Sequence, residues 1–416
     1  MLFKKIAIIT STDFVLKGLS FLVLPIYLGW MSKADFGEYG YISTGLALMP
    51  PIISIGLYIN QIKEEASTTR KNMRGDIFSS TFLFILIYVS FFLILVSFFN
   101  LDFFAMDQVF GVTYGIKEKS LVFDVLVLAM TLNLIIYSSL VSSDSNTNIA
   151  KYNCIKFLVQ NSILLLVIYI GILYIDTSYT RLLCLLFGEI IILMLTSAIF
   201  CRKLYSFRID WSYIKRSLLV GAPVVPGSIA TIFLSLSDRY FLTHAFSLEY
   251  VAEYNLAVQF LLPAQTLMVA AQVSWASHVY GLESNQRARQ ETWIFIKKLL
   301  KIYLLVVPSL FAIAVLGLYF SVIPSVYKNL PFLIIILSIP TIGIALLQLP
   351  FNLFIRVENS ISITYIMIWA ASISIALGSY LIPEFGFYGV AITGLLVSIS
   401  SLGLSFFRVR HLYRSV

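Results

Sequence analysis

Five ionisable residues interrupt the long apolar stretches of this 416-residue chain. Asp13 and Lys17 are one helical turn apart in the first stretch, and Glu189 lies near the middle of a later one. The pair Asp238-Arg239 follows an apolar run of about one bilayer thickness. A charge inside a membrane is costly, so such residues are typical of ion and substrate pathways. Their positions favour a transporter with a polar path between its helices.

The carboxylates are candidates for ion coupling. Asp13, Glu189 and Asp238 can each bind and release a proton or a small cation from a partly dry site. A structural interpretation stands beside this one. Asp13 and Lys17, spaced i,i+4, can form a self-neutralising pair that fixes helix packing, and Glu189 can pair with a cation on a neighbouring helix, such as Lys17.

The cations and amides are candidates for substrate binding. Lys17, near the membrane centre, and Arg239, near the outer end of its helix, can hold an anion. Gln265 and Gln272 share one helix face, and amides suit a substrate rich in hydroxyl groups. The alternative for these glutamines is hydrogen bonding between membrane helices, which polar side chains commonly supply.

The composition defines the class of protein. The chain is 59% hydrophobic and 12% charged, with a mean hydropathy of +0.91, so it predicts a multi-pass membrane protein. The net charge of +8 is interpreted as a topology signal and not as nucleic-acid binding. The three cysteines have no metal-ligand spacing. No nucleophile–base arrangement or phosphate loop is present in the sequence, so we expect no enzyme, no metal and no cofactor.

The apolar runs predict twelve transmembrane helices. They lie at 6–29, 37–60, 77–99, 121–142, 153–175, 181–200, 217–242, 251–279, 302–322, 330–355, 360–382 and 386–407. Most of the lysines and arginines fall in segments on one side when the N-terminus is placed inside. This asymmetry predicts that both termini are cytoplasmic.

An internal echo predicts a duplication. The octets that begin at Ser32 and Ser247, about half the chain length apart, share their first serine and their final Glu-Tyr, with Glu38 in one and Glu253 in the other. The alternative is a recurrent helix start without homology. With six spans in each half, both halves start on the cytoplasmic side. The prediction is an all-α membrane protein with two parallel six-helix bundles, a basic cytoplasmic linker and a substrate path between the bundles. The bundles are residues 1–200 and 217–416, and the linker is 201–216.

Several motifs resemble the multidrug/oligosaccharidyl-lipid/polysaccharide (MOP) exporter superfamily, and in particular its polysaccharide and O-antigen repeat-unit flippases of the Wzx type. The motifs are Gly221-Ala222-Pro223-Val224-Val225-Pro226, Ser237-Asp238-Arg239-Tyr240, Val251-Ala252-Glu253-Tyr254 and the turn at 381–391. The likeness in span number and spacing covers the whole chain.

This resemblance implies a MATE-like fold and a flippase of the bacterial cytoplasmic (inner) membrane, in the biosynthesis of O-antigen and lipopolysaccharide. Its substrate would be an undecaprenyl-pyrophosphate-linked oligosaccharide. Its other partners would be membrane lipid, protons or Na⁺ as the coupling ion, and the polysaccharide polymerase machinery. An antiporter for drugs or organic cations on the same fold is the alternative, and Lys17 and Arg239 argue against it. A membrane glycosyltransferase is disfavoured because the outer segment 100–120 is short and lacks paired carboxylates.

Overall fold

A computed structural model describes residues 23–67, 71–112, 114–142, 146–170, 176–202, 204–206, 208–222, 225–280, 284–356 and 361–415. Within these residues every regular element is a helix, which confirms the predicted all-α class. The helices are α1 (23–30), α2 (Lys33–Ile53), α3 (Leu57–Ser67), α4 (Lys71–Phe98), α5 (Leu101–Phe104), α6 (Ile116–Ser142), α7 (Asn146–Ile170), α8 (Thr177–Thr196), α9 (Trp211–Gly221), α10 (Val225–Ala245), α11 (Leu248–Tyr280), α12 (Asn285–Tyr319), α13 (Leu330–Arg356), α14 (Ile361–Phe385) and α15 (Phe387–Ser415).

The described helices are those of a multi-pass membrane protein. Eight of them are long and apolar enough to cross a bilayer, and the number is ten if each of two bent pairs is one span. A helix satisfies its own backbone hydrogen bonds, which lipid cannot do. The predicted first span, 6–29, lies mostly outside the described residues. The count of twelve and the cytoplasmic termini therefore stay predictions.

The first bent pair is α2 with α3, which meet at 60°. Pro50 and Pro51 lie near the end of α2, and proline disrupts a helix because it cannot continue the helical hydrogen bonds. The break follows the prolines, where Ile55 and Gly56 have φ angles of 50° and 68°. The second pair is α9 with α10, bent by 53°. Pro263 does not end α11, which runs through it as one helix.

The chain forms two compact units. The first unit is Trp30–Ile229, and the second is Ala230–Val416 together with the residues before Trp30. In the first unit α9 packs against α3 and α4. Gly56 and Gly221 make this contact close, because a Cβ on Gly221 would lie 2.3 Å from the carbonyl oxygen of Ile55. The start of the predicted second bundle at residue 217 therefore lies in the first unit.

The two units share one internal plan. In the first unit α6 packs against α2, α3, α4, α7 and α8, and in the second unit α13 packs against α11, α12, α14 and α15. Each of these central helices comes fourth in its predicted half. The packing pattern thus supports the duplication that the echoed octets predict.

The echoed octets have matching environments. Ser32 caps α2 by accepting a hydrogen bond from the Asp35 amide, at 3.1 Å. Glu38, from the first octet, is buried and contacts Lys119 at the start of α6. Glu253, from the second octet, is also buried and accepts a hydrogen bond from Asn329, immediately before α13, at 3.0 Å. In both units the octet glutamate therefore binds the start of the central helix.

Residues 285–301, which lie between the predicted spans 251–279 and 302–322, belong to α12. Ser284 caps α12 by accepting from the Arg287 amide, and Ala288, Thr292 and Ile296 bury one face of the following turns. A hydropathy window misses such a segment because its opposite face is basic.

Candidate functional site

The candidate site is built around Glu189 in the first unit. Glu189 lies in α8 and its side chain is fully buried. One carboxylate oxygen accepts from Gln160 at 2.8 Å and lies 3.2 Å from the Lys156 amine. The other oxygen accepts from Asn133 at 2.7 Å. The Glu189 charge, which is costly to bury, is thus stabilised by one cation and two amides from α6 and α7.

The spacing along α7 explains how these partners meet. Asn153, Lys156 and Gln160 follow one another at three- and four-residue intervals, so they share a face of the helix. Gly188 lets this face approach α8, since a Cβ there would already touch the Gln160 side chain at 3.4 Å. A larger residue at 188 would push Gln160 away from its neighbour Glu189.

Lys156 also borders a cleft. The cleft has a volume of about 280 Å³, and its polar wall contains Asn133, Tyr137, Tyr152, Asn153 and Lys156. Its opposite wall is apolar and includes Ala47, Pro50 and Pro51 of α2. The Lys156 side chain is 36% exposed, whereas Glu189 is completely covered. A lysine that is partly exposed within a membrane helix favours a cleft that water can enter, because lipid would not solvate its charge.

The rings of the cleft add an aromatic surface. The Tyr137 and Tyr152 ring centroids are 5.3 Å apart, with the planes inclined by 50°. Aromatic side chains offer an apolar face and, in tyrosine, a hydroxyl at the edge. Together with the amides and the amine, they form a wall that can bind a small polar anion.

The pair Asp238-Arg239 lies in α10 of the second unit. Arg239 is 7% exposed, donates to Asn255 and to the Ser235 carbonyl at 2.8 Å each, and covers the Tyr254 ring. The Tyr254 hydroxyl donates to Asp238 at 3.1 Å. These contacts tie α10 to α11, so the geometry supports the packing of this unit more directly than a role in substrate binding.

Four predicted site residues remain. Gln265 and Gln272 are half-buried in α11 of the second unit. Asp13 and Lys17 lie outside the described residues. Their proposed roles stay predictions.

Sequence reasoning found Glu189 but missed its partners. Lys17 was the suggested cation for Glu189, whereas Lys156 holds that place among the described residues. Lys156 lies only three residues after the start of the predicted span 153–175, where it resembles an interfacial cation, but α7 begins at Asn146. The signal was present as the polar series Asn153, Lys156, Gln160 on one helical face.

Comparisons with known structures define the fold. The "Lipid II flippase MurJ, inward closed conformation" superposes with a TM-score of 0.74 at 14% identity, over 97% of this chain and 87% of that one. An inward-facing multidrug resistance MATE family transporter of the MOP superfamily gives 0.69 at 14% identity, over 96% and 99%. The Vibrio cholerae MATE transporter VcmN in the bent form gives 0.65 at 14% identity, over 100% and 97%. No curated protein sequence matches this chain.

The fold is therefore that of the MOP-superfamily membrane transporters, as the motifs predicted. Residues 2–275 match the sequence profile of the family described as "Polysaccharide biosynthesis protein". The chain belongs to this family.

Proposed function

We propose that this protein is a flippase that moves an undecaprenyl-pyrophosphate-linked oligosaccharide, such as an O-antigen repeat unit, across the bacterial cytoplasmic membrane. Family membership supports a role in polysaccharide biosynthesis. The similarity to a lipid II flippase supports a fold suited to lipid-linked substrates. Alternating access would move the polar head group through the protein while the lipid tail stays in the bilayer.

The observation that carries this proposal is Lys156, whose side chain is 36% exposed within a membrane helix and borders the cleft. An anionic head group needs a fixed cation along a low-dielectric path, since an unpaired charge there is expensive. Lys156 supplies that cation in the first unit. Lys17 and Arg239 remain proposed as further anion contacts, with Gln265 and Gln272 as contacts for sugar hydroxyls.

Ion coupling is proposed to use protons or Na⁺ at the intramembrane carboxylates Asp13, Glu189 and Asp238. Glu189 is the best placed among the described residues, because it is buried beside a cation that an incoming anion can attract away. This ion-coupling step requires neither the polysaccharide polymerase machinery nor a particular glycan.

An antiporter for organic cations is the second candidate. Its support is the similarity to the MATE transporters and the buried Glu189 carboxylate, which would attract a cation. The lysine at the cleft opposes it, because Lys156 would repel a cationic drug from the site.

The test is surface glycan display in bacteria that lack their own repeat-unit flippase, with membrane expression measured in the same cells. Restoration of display by this chain supports the flippase. We expect Lys17→Ala to lose display, and Arg239→Lys to retain more of it than Arg239→Ala. Resistance to organic-cation drugs without any restored display would instead support the antiporter.

A further inference from the structure

The Asn133 side chain has an orientation that its surroundings fix. Its amide nitrogen donates both to the Glu189 carboxylate, at 2.7 Å, and to the Glu189 backbone carbonyl, at 3.1 Å. A flipped amide would place its oxygen against these two acceptors, so the assignment of oxygen and nitrogen follows from the hydrogen bonds.

This orientation leaves the Asn133 amide oxygen without a hydrogen-bond partner among the described residues. Asn133 is 2% exposed and lies in the wall of the cleft beside Lys156. A buried acceptor without a donor is destabilising and is uncommon in folded proteins. The oxygen itself has less than 1 Å² of exposed surface, so a bound molecule supplies the missing donor by opening the wall of the cleft beside Asn133.

Lys156 is the loosest of the three partners of Glu189. Its amine is 3.2 Å from the carboxylate, whereas the two amide nitrogens lie at 2.7 and 2.8 Å. Glu189 keeps both amide hydrogen bonds when Lys156 turns towards the cleft. The lysine can thus exchange its internal carboxylate for an external anion at limited cost.

The two features together restrict the ligand. It must offer a hydroxyl donor for Asn133 and an anionic group for Lys156. An ionised pyrophosphate alone has acceptors but no donor, and a neutral sugar has donors but no charge. A volume of about 280 Å³ lies at the lower limit of small-molecule pockets, so it accommodates a single sugar and not an oligosaccharide.

We infer that this cleft binds one anionic sugar residue, which donates a hydroxyl to Asn133 and presents its charge to Lys156 in place of Glu189. The tyrosine rings at 137 and 152 would border the sugar ring. The identification of this sugar as part of a transported glycan rests on the proposed function. Its anion is either the carboxylate of an acidic sugar within the glycan or the phosphate on the sugar nearest the lipid.

The test is ligand-observed NMR with the purified full-length protein in lipid nanodiscs. The probes are glucuronate, glucose 1-phosphate and glucose. We expect at least one charged probe to bind more tightly than glucose. Preference for glucuronate identifies an acidic sugar, and preference for glucose 1-phosphate identifies the phosphate-bearing sugar.

The variants separate binding from folding. Loss of a charge-assisted hydrogen bond in Lys156→Gln should weaken the charged probe roughly 10- to 100-fold and leave glucose unchanged. The double variant Lys156→Gln, Glu189→Gln replaces the ion pair by a neutral pair and should show the same loss with a near-normal melting temperature. Lys151→Gln, at an exposed position of the same helix, is the matched control.

Equal binding of all three probes would overturn the inference, as would equal effects of the substitutions at Lys156 and Lys151. The glycan-display test gives a separate answer. Selective probe binding without display would reject the flippase but retain the anionic-sugar site. Display without selective binding would reject the site alone.

Discussion

Among the charged residues of the first unit, Lys119 is the one whose substitution we expect to lower the stability of the fold most. It is 1% exposed, and its amine contacts the Glu38 carboxylate at 2.5 Å and the Asp176 carboxylate at 2.7 Å. One cation therefore joins the beginnings of α2, α6 and α8. Lys119→Met keeps an unbranched side chain that is one atom shorter, and it leaves two neighbouring carboxylates without their shared cation.

Removal of one partner from a buried ion pair costs about 3–5 kcal/mol. The lower end applies here because the single Ser178 hydroxyl lies within hydrogen-bond distance of both carboxylates and can donate to one of them, and the Tyr179 amide donates to Asp176 at 2.9 Å. We expect Lys119→Met to lower the free energy of unfolding by about 3 kcal/mol. The assay is denaturant-induced unfolding in detergent, followed by thiol labelling of the buried Cys184 and Cys201.

The loss should depend on pH. Burial alone would raise the pKa of Asp176, but the hydrogen bonds from Lys119, the Tyr179 amide and Ser178 outweigh it and hold the pKa below its ordinary value. A lowered folded-state pKa stabilises the fold at pH values above the ordinary pKa of the group, which is about 4. This contribution to the free energy of unfolding is lost as the pH falls through the folded-state pKa. Lys119→Met lacks this lysine, so the difference in the free energy of unfolding between the variant and the unmodified protein should become smaller at acid pH.

Lys117→Met is the matched control, since Lys117 is exposed two residues earlier. Surface substitutions usually change stability by no more than about 0.5 kcal/mol. If Lys119→Met were as stable as Lys117→Met at neutral pH, the three-helix contact at Lys119 would have no energetic role, and the reasoning would be refuted.

Three further predictions concern topology, coupling and packing. Single cysteines in 280–301 should label only from the cytoplasm and those in 100–120 only from outside, and external labelling at 280–301 would overturn the parallel-repeat interpretation. Glu189→Gln should make flipping in vesicles independent of the proton gradient. The prediction is wrong if flipping by the unmodified protein does not depend on the gradient. Gly221→Ala should destabilise the protein by about 2 kcal/mol or more, because its Cβ would overlap the Ile55 carbonyl; thermal unfolding equal to the unmodified protein would contradict this contact.

Much of the fold can be predicted from patterns along the sequence. Apolar runs locate most of the helices, since a membrane helix must be long and apolar. The echoed octets predict the duplication, and the structure gives Glu38 and Glu253 equivalent positions beside α6 and α13. The start of α12 was harder to predict, because its first turns are amphipathic and not uniformly apolar.

Only part of the candidate site could be predicted from the sequence, and the reason is physical. Glu189 stands out because one carboxylate interrupts an apolar run, whatever its neighbours are. Lys156 and Lys119 look like loop cations in the sequence, since each is close to a polar segment. Their burial and their partners depend on how α6, α7 and α8 pack, and the sequence pattern of one helix does not contain that information.

The most direct measurement of the central claim is the movement of lipid-linked oligosaccharide between the leaflets of proteoliposomes. Purified protein is reconstituted with undecaprenyl-pyrophosphate-linked oligosaccharide, and a membrane-impermeant glycosidase reports the outward-facing fraction over time. The account predicts that the unmodified protein makes the inner pool accessible, whereas Lys156→Gln and protein-free liposomes do not. Inner-pool accessibility equal to that of protein-free liposomes, with the protein folded and an organic-cation dye transported, would contradict it.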